Sequence, residues 1–348
     1  MKNELKYSGI IIKVLLAWGL ILLYLFSSAQ TITLERFKDN PIITPSMLPV
    51  MEGDDINGPS LLRVPDWLPN KLGKYYLYFA HHKGKYIRLA YANDLNGPWT
   101  IYKPGTLHIE DCVCNNAPFA SGESIRHTGA ENAGDEVTHI ASPDVLIDSA
   151  DRQFIMYFHC PLEYKGKKGQ YSLRATSKDG IHFTADSIVL GDSYFRVFKY
   201  KDAWYSLART GIVARSKDGI AAFEKGSNPF TTADSASRVR HVAVEVVNDT
   251  LYVFYSRIGD APERILLSKI NLAEDWHSWK ATAPIEVAAP QTAYEGADLP
   301  ITTSNSGLYY GKVRQLRDPY VYVENGKWYL LYATAGENAI AIGALNVQ

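Results

Sequence analysis

The segment Trp328-Tyr329-Leu330-Leu331-Tyr332 is one of five short, aromatic-rich segments that resemble one another, and their recurrence decides the fold. The other four are Tyr75-Tyr76-Leu77-Tyr78-Phe79, Gln153-Phe154-Ile155-Met156-Tyr157, Trp204-Tyr205-Ser206-Leu207-Ala208 and Leu251-Tyr252-Val253-Phe254-Tyr255. Their second positions are 78, 51, 47 and 77 residues apart. A four-stranded propeller blade takes about 40–50 residues, so two spacings match directly and two leave room for long loops.

Each aromatic core follows a second strand-like segment, and turn residues such as Glu324-Asn325-Gly326-Lys327 separate the two. These preceding segments are 59–64, 143–147, 195–198, 241–244 and 319–323. The pattern predicts an all-β, five-bladed β-propeller, because radial closure removes the exposed edges of repeated sheets. The last blade lacks an outer strand, and residues 32–37 are predicted to supply it and close the ring. A β-sandwich is the alternative, but it does not explain five copies of one module.

The N-terminus resembles an export signal. Lys2, Lys6 and Lys13 are followed by an apolar run over 14–26 and by the small residues Ser27-Ser28-Ala29. The run of about 13 residues is shorter than the ~20 that a spanning helix needs, which disfavours the alternative of a retained anchor. We expect a signal peptide at 1–29, a single propeller domain at 30–348, export to the periplasm or medium, and no stable membrane insertion after cleavage.

The charge of the chain bears on its class of partner, and its cysteines bear on disulfide and metal binding. The net charge is −1 and no basic run is present, so the sequence gives no reason to expect nucleic acid as a partner. The three cysteines are Cys112, Cys114 and Cys160. Export permits a disulfide from Cys112 or Cys114 to Cys160. A metal site that uses Cys-x-Cys and a nearby histidine is the alternative.

Three short motifs carry a resemblance to a known family: Asn40-Pro41-Ile42-Ile43, Ser142-Pro143-Asp144 and Arg317-Asp318-Pro319. With them, the chain resembles the five-bladed propeller glycosidases, the superfamily of arabinanases, β-xylosidases and invertase-like enzymes. The resemblance implies a glycoside hydrolase that acts on a carbohydrate. It also implies a general base, an Asp before Pro in the first blade, and an acid, a Glu in the third. Here the first position reads Asn57-Gly58-Pro59, and the third blade has no such Glu.

Glycoside cleavage uses one protonated and one ionised carboxyl group. Asp144 and Asp318 begin inner strands of different blades, so we expect both to face one cavity. Asp144 and Asp318 are therefore predicted to be the base and an orienting carboxylate, and Glu295, in the loop before the fifth blade, to be the acid. For Asp318 the structural alternative is an Asp-Pro turn at the start of a strand.

Polar residues on or near the inner strands, after the first core and in the loop before the fifth blade are predicted to bind the sugar; for the Arg and His side chains the structural alternative is hydrogen bonding between blades. These polar residues are Asn57, Arg63, His81, His82, Arg196, Arg240, His241, Arg317 and Asp298. The many Arg and His side chains would suit an anionic sugar, and Trp67, Tyr194 and Tyr294 are candidate stacking platforms. Two other functions stay open: a non-catalytic carbohydrate-binding propeller, and a polysaccharide lyase that uses a histidine such as His241. No cofactor is predicted with certainty; a structural calcium is an option, although no EF-hand loop is present.

Overall fold

The computed structural model describes residues 32–50, 52–115, 126–127, 139–231, 237–307, 309 and 311–347. The chain divides into two compact units, Thr33–Asn346 and Met1–Ile32 with Val347–Gln348. Almost all of the second unit, including the predicted export signal, lies outside the described residues. Among the described residues, no helix combines the length and apolar character needed to cross a membrane.

The described strands form five antiparallel sheets, numbered here as blades I to V, so the predicted five-bladed propeller is confirmed. Blade I contains β2 (Asn57–Arg63), β3 (Tyr75–Ala80), β4 (Arg88–Ala92) and β5 (Thr100–Tyr102). Blade II contains β6 (Arg126–His127), β7 (Ala141–Asp148), β8 (Gln153–Tyr164), β9 (Lys167–Ser177), β10 (Thr184–Ala185) and β11 (Gly191–Asp192).

The remaining three blades have four strands each. Blade III contains β12 (Arg196–Tyr200), β13 (Ala203–Leu207), β14 (Val213–Ser216) and β15 (Glu224–Lys225). Blade IV contains β16 (Val239–Val247), β17 (Thr250–Arg257), β18 (Ile265–Asn271) and β19 (Ile285–Ala288). Blade V contains β20 (Arg317–Glu324), β21 (Lys327–Thr334), β22 (Ala339–Val347) and β1 (Ile32–Arg36). Because β1 lies beside β22 in the fifth sheet, the predicted closure by the N-terminal strand is confirmed.

Helical structure in the described part of the chain is limited to single 3-10 turns. They are Pro45–Met47, Ile109–Asp111, Val113–Asn115, Arg209–Gly211, Trp276–Ser278 and Ala293–Glu295. The near absence of helix follows from the sequence, in which aromatic and β-branched residues alternate with a period of two.

Apolar packing joins each blade to a neighbour. One cluster of buried side chains combines blades I and II around Tyr78 and Phe158, and another combines blades III and IV around Tyr205 and Trp279. Smaller clusters join blades II and III and blades V and I. Between blades IV and V, the ring of Tyr252 lies 5.1 Å from that of Trp328.

A repeated tyrosine hydrogen bond adds a polar contact to this packing and fixes one blade relative to the next. Tyr78 Oη in blade I donates to the carbonyl of Gly180 in blade II at 2.7 Å. Tyr157 Oη in blade II makes the same contact with Gly219 in blade III at 3.1 Å. Both glycines end a Ser-Lys-Asp-Gly turn and have a φ near +73°, a conformation that glycine adopts without strain. The repeated turn in the sequence is therefore a docking point between successive blades.

The disulfide joins Cys114 to Cys160, and Cys112 is buried and unbonded. The structure thus selects one of the two predicted pairings. It also removes Cys114 from the alternative Cys-x-Cys metal site.

The ring closure contains a buried carboxylate. Glu295 Oε1 accepts hydrogen bonds from Arg36 Nε of β1 at 2.7 Å and from Tyr332 Oη of β21 at 2.8 Å. Its Oε2 accepts from the backbone N–H groups of Gln291 and Thr292. The side chain is fully buried. Glu295 therefore holds the N-terminal strand against the last blade.

We expect Glu295→Ala to lower the free energy of unfolding by about 3–5 kcal/mol, because it leaves Arg36 and two backbone N–H groups without their acceptor. The measurement is urea denaturation followed by tryptophan fluorescence. Glu224→Ala, at an exposed site in blade III, is the control and should change stability by about 0.5 kcal/mol at most. Equal losses in the two variants would contradict the closure role.

The far end of the channel contains a glutamate that forms no ion pair with any described residue. Glu245 of β16 faces an open cavity of about 530 Å³ that Tyr320, Tyr322 and Leu146 also line. Burial raises the pKa of Glu245 to about 7. A carboxyl group whose pKa is higher in the folded state contributes stability below its unfolded pKa, and that contribution is lost as the pH rises towards 7.

We therefore expect Glu245→Gln to be more stable than the wild type at pH 8, by about 1–2 kcal/mol once the partial exposure of the side chain is allowed for. At pH 4 the two proteins should be nearly equal, because Glu245 is then protonated in both states. Urea unfolding at the two pH values, with Glu224→Gln as the control, measures this. A stability difference that does not change with pH would contradict the prediction.

Candidate active site

One small cleft lies where the inner strands of the blades begin. It is named here the mouth cleft and is too narrow in this structure to hold a water molecule; its lining residues are Asn57, His82, Ala141, Ser142, Tyr194, His241 and Asp318. Each blade contributes from its inner strand or from the residues just before it. The only other lining residue, His82, follows the second strand of blade I. Residues far apart in the chain thus converge at one mouth of the ring, as the propeller predicts.

A backbone kink at the start of the inner strands creates this convergence. Four of the five strands begin with a residue in the left-handed region: Gly58, Ser142, Tyr194 and Asp318, with φ of 59°, 51°, 63° and 46°. In blade IV the pairing with the second strand is interrupted at the same place, between Val239 and Val242. Three of the four are not glycine, and backbone strain of this kind is typical of functional sites.

Asp318 and His241 form the central contact of the mouth cleft. His241 Nδ1 lies against Asp318 Oδ1, and both side chains are about nine-tenths buried or more. Burial by itself would raise the pKa of Asp318, but His241, Arg240 and His82 lower it well below its usual range. Asp318 is therefore ionised, and its contact with Nδ1 leaves Nε2 of His241 for a ligand.

Tyr194 lies between two histidines. Its ring centroid is 4.2 Å from that of His159 and 4.8 Å from that of His241. Burial raises the pKa of Tyr194 to about 12, so the phenol keeps its proton at neutral pH. The predicted stacking platform therefore lies in the cleft, where it also offers a hydrogen-bond donor.

His82 lies between two acidic side chains at the edge of the cleft. Its Nδ1 is 2.9 Å from Asp55 Oδ2 and 3.3 Å from Glu337 Oε2. Asn57 Nδ2 donates to Asp55 Oδ1 at 2.6 Å. Burial would lower the pKa of His82, whereas the charges of Glu337 and Asp55 raise it to about 9.

A buried network of charges supports the cleft from below. Arg317 Nε lies 3.1 Å from Glu263 Oε2, and Arg317 Nη1 lies 3.1 Å from Glu337 Oε1. Arg240 lies 3.8 Å from Glu263 and 3.5 Å from Glu337. Arg240 also donates to the carbonyl of Gly307 at 2.7 Å. The two predicted sugar-binding arginines thus hold carboxylates in place and do not line the cleft.

Asp144 lies one layer deeper than Asp318. Its Oδ2 accepts from the backbone N–H of Val197 in the next blade at 2.7 Å, and Arg196 lies 3.9 Å from its Oδ1. Burial raises the pKa of Asp144, and Arg196 opposes that shift. The residue of blade II that corresponds to Asp318 is Ser142, because both occupy the kink. Asp144 and Asp318 therefore do not occupy equivalent positions, contrary to the expectation from sequence.

Four other predicted residues also lie away from the cleft lining. Arg63 is at the far end of the channel, where it pairs with Glu324 at 3.0 Å. His81 pairs with Asp54, and Asp298 is exposed on the surface. Glu295, the predicted acid, has its carboxylate occupied by the ring closure. Of the predicted site residues, Asn57, His82, His241 and Asp318 are the ones that line the cleft.

The residues that the sequence argument missed are Ser142, Glu263 and Glu337. A geometric signal could have found the two glutamates: in an antiparallel hairpin, the second strand ends beside the start of the first. Loops that follow the aromatic cores must therefore return to the mouth. Glu337 and Glu263 lie in two of these loops, as His82 does in another.

The described side chains include one group that could hold a metal ion. In the part of the chain that the structure describes, one group of His, Cys, Asp and Glu brings three ligand atoms within 4.8 Å of one another, and it consists of Asp55, His82 and Glu337. Calcium takes six to eight oxygen ligands. A three-residue set that includes an imidazole does not fit the structural calcium considered from the sequence.

Solved structures confirm the fold. A glycoside hydrolase family 43 β-xylosidase/α-arabinofuranosidase from a compost microbial metagenome is 16% identical, with a TM-score of 0.52, and the match covers 86% of this chain and 93% of that one. A putative glycoside hydrolase from Bacteroides ovatus is 13% identical, with a TM-score of 0.56 and coverages of 89% and 95%. An N-acetylgalactosamine deacetylase from F. plautii is 12% identical, with a TM-score of 0.53 and coverages of 84% and 90%.

These likenesses show that the chain has the five-bladed fold of glycosidases of this type, as the sequence resemblance implied. No family model matches the sequence. Among curated proteins, the uncharacterized protein R118 of Acanthamoeba polyphaga mimivirus is 35% identical over 327 residues, which cover 88% of each chain. At that identity and coverage, this chain belongs to the same protein family as mimivirus R118.

Proposed function

We propose that this protein is a glycoside hydrolase that cleaves a poly- or oligosaccharide in the mouth cleft. The observation that carries the proposal is the convergence of Asp318, His241 and Tyr194 from three blades on one narrow cleft. The fold, which solved glycosidases share, supports it. Export of the protein, as the N-terminal pattern and the Cys114–Cys160 disulfide favour, would bring it to extracellular carbohydrate.

In this proposal, Asp318 and His241 act as one unit. The ionised Asp318 orients His241, whose Nε2 takes a proton from the attacking water. Tyr194, protonated at neutral pH, gives its phenolic proton to the oxygen of the leaving sugar, and the proton held by His241, whose ring lies beside it, then returns to Tyr194. Arg196, Arg240 and Arg317 are occupied by carbonyl and carboxylate groups of the protein, so the proposal does not require an anionic sugar.

We expect Asp318→Asn to lower kcat by about 10²–10⁴-fold, because His241 loses the charge that orients it and stabilises its protonated form. Binding of an oligosaccharide should be retained. The measurements are release of reducing sugar from a panel of plant and microbial polysaccharides, and calorimetry with the substrate found. The control is Asp202→Asn, in an exposed turn of blade III.

Two results would overturn the proposal. Binding of sugars without turnover by the wild type would identify a carbohydrate-binding propeller. Products that absorb in the ultraviolet would identify a lyase.

A second candidate is hydrolysis of an acyl group carried by a sugar, and one observation favours it. Ser142 lines the same cleft as His241 and Asp318, in a strained left-handed conformation. Serine, histidine and aspartate are the residue types of a nucleophilic triad. One structural neighbour with the same fold is a deacetylase that acts on an N-acetylated sugar.

Ser142→Gly separates the two candidates. Glycine occupies the equivalent position in blade I and adopts a positive φ without strain, so the variant should fold normally. If the protein is a glycosidase, the variant should keep sugar release within about fivefold of the wild type, because a change confined to the pocket wall has an effect of about 1 kcal/mol or less. Acetate release by the wild type from acetylated polysaccharide, abolished in Ser142→Gly, would instead support deacylation.

A further inference from the structure

Three side chains at the edge of the mouth cleft direct electron-rich atoms at one point. Asp55 Oδ2 and Glu337 Oε2 both face His82 Nδ1, at 2.9 and 3.3 Å. No described residue donates a hydrogen bond to Glu337 Oε2, although the Glu337 side chain is 1% exposed. A buried carboxylate oxygen without a donor is costly, and a cation would stabilise it.

The hydrogen bonds around His82 are mutually inconsistent if Nδ1 carries a proton. Asn57 Nδ2 lies 2.8 Å from Nδ1 and 2.6 Å from Asp55 Oδ1. A protonated Nδ1 can donate to Asp55 or to Glu337 but cannot also accept from Asn57. A metal ion bound to Nδ1 would give both carboxylate oxygens a cation to face, while Asn57 keeps Asp55 Oδ1 as its acceptor.

The second oxygen of each carboxylate is already held in place. Asp55 Oδ1 accepts from Asn57, and Glu337 Oε1 accepts from Arg317 Nη1 at 3.1 Å. Hydrogen bonds of this kind orient ligands in metal sites and raise affinity for the ion.

The charge of the surrounding cluster also favours a cation. The acidic side chains joined in or beside this network are Asp55, Glu263, Asp318 and Glu337, and the guanidinium groups are those of Arg240 and Arg317. All six residues are at least nine-tenths buried. Four negative and two guanidinium charges leave two negative charges; a protonated His82 cancels one of them, whereas a divalent ion bound in place of that proton would cancel both.

The ligand types indicate which ion. One imidazole with two carboxylates is a set that zinc and manganese accept, whereas calcium prefers an all-oxygen shell. Because His82 and Asn57 also line the mouth cleft, a coordination position would be open towards it. We propose that Asp55, His82 and Glu337 bind one divalent transition-metal ion at the edge of the mouth cleft.

Direct binding measurements test the site without reference to activity, so their outcome is independent of the proposed hydrolysis. Purified full-length protein is dialysed against a chelator and then titrated with Mn²⁺, with the free ion followed by electron paramagnetic resonance. One ion per chain should bind, zinc should displace it, and calcium should compete much more weakly. The metal should also raise the melting temperature.

His82→Gln and Glu337→Gln should each weaken Mn²⁺ binding by about tenfold or more. The matched control is Asp54→Asn, next to Asp55 but with an exposed side chain directed at His81, and it should bind as the wild type does. Glu337→Gln also disturbs Arg317, so melting curves of the metal-free variants must show folded protein, and His82→Gln serves if Glu337→Gln unfolds. The proposal is overturned if stoichiometric binding is absent, if His82→Gln binds normally, or if calcium competes as well as zinc.

Discussion

Among the described residues, no strand of one blade pairs with a strand of the next, so the inner strands are held in register by side chains together with a few backbone hydrogen bonds between loops, such as that from Ile140 N to Gly84 O. Three successive contacts do this. Ser60 Oγ accepts from Val145 N at 2.9 Å, Asp144 Oδ2 accepts from Val197 N at 2.7 Å, and Arg196 Nε donates to Val242 O at 3.1 Å. The three side chains occupy equivalent positions in blades I to III, and the mouth cleft lies directly above this layer.

This constraint explains why Asp144 is a poor candidate for contact with substrate. A carboxylate that joins two blades is buried with its acceptor oxygen already used. The position two residues earlier, at the kink, is the one that turns its side chain into the cleft. Serine occupies that position in blade II, tyrosine in blade III and aspartate in blade V, so the chemistry of the cleft is set by the kink residues.

The charged groups beneath the cleft are stabilised only as a connected set. A single buried ion pair contributes little net stability, because removing two charges from water offsets most of their attraction. Here the Arg317 guanidinium contacts Glu263, Glu337 and Gln315 at once. These contacts replace most of the hydrogen bonds to water that the guanidinium loses on burial. The network fixes Glu337, which in turn fixes one side of His82. The same rigidity would suit a cavity that must hold a reacting sugar or an ion in one geometry.

The sequence by itself determined the number of blades, the strand order within them and the closure by the N-terminal strand. All three follow from local patterns: five aromatic cores, turn residues between them, and a missing outer strand at the end. It also indicated Asn57, His82, His241 and Asp318, because residues at the strand starts and hairpin ends must lie at one mouth.

Only the tertiary structure decided the separate roles of Asp318, Asp144 and Glu295. Asp318 faces the cleft, Asp144 joins two blades and Glu295 closes the ring. These roles depend on a one- or two-residue shift at the kink and on partners up to 259 residues away. Local sequence does not encode such distant contacts.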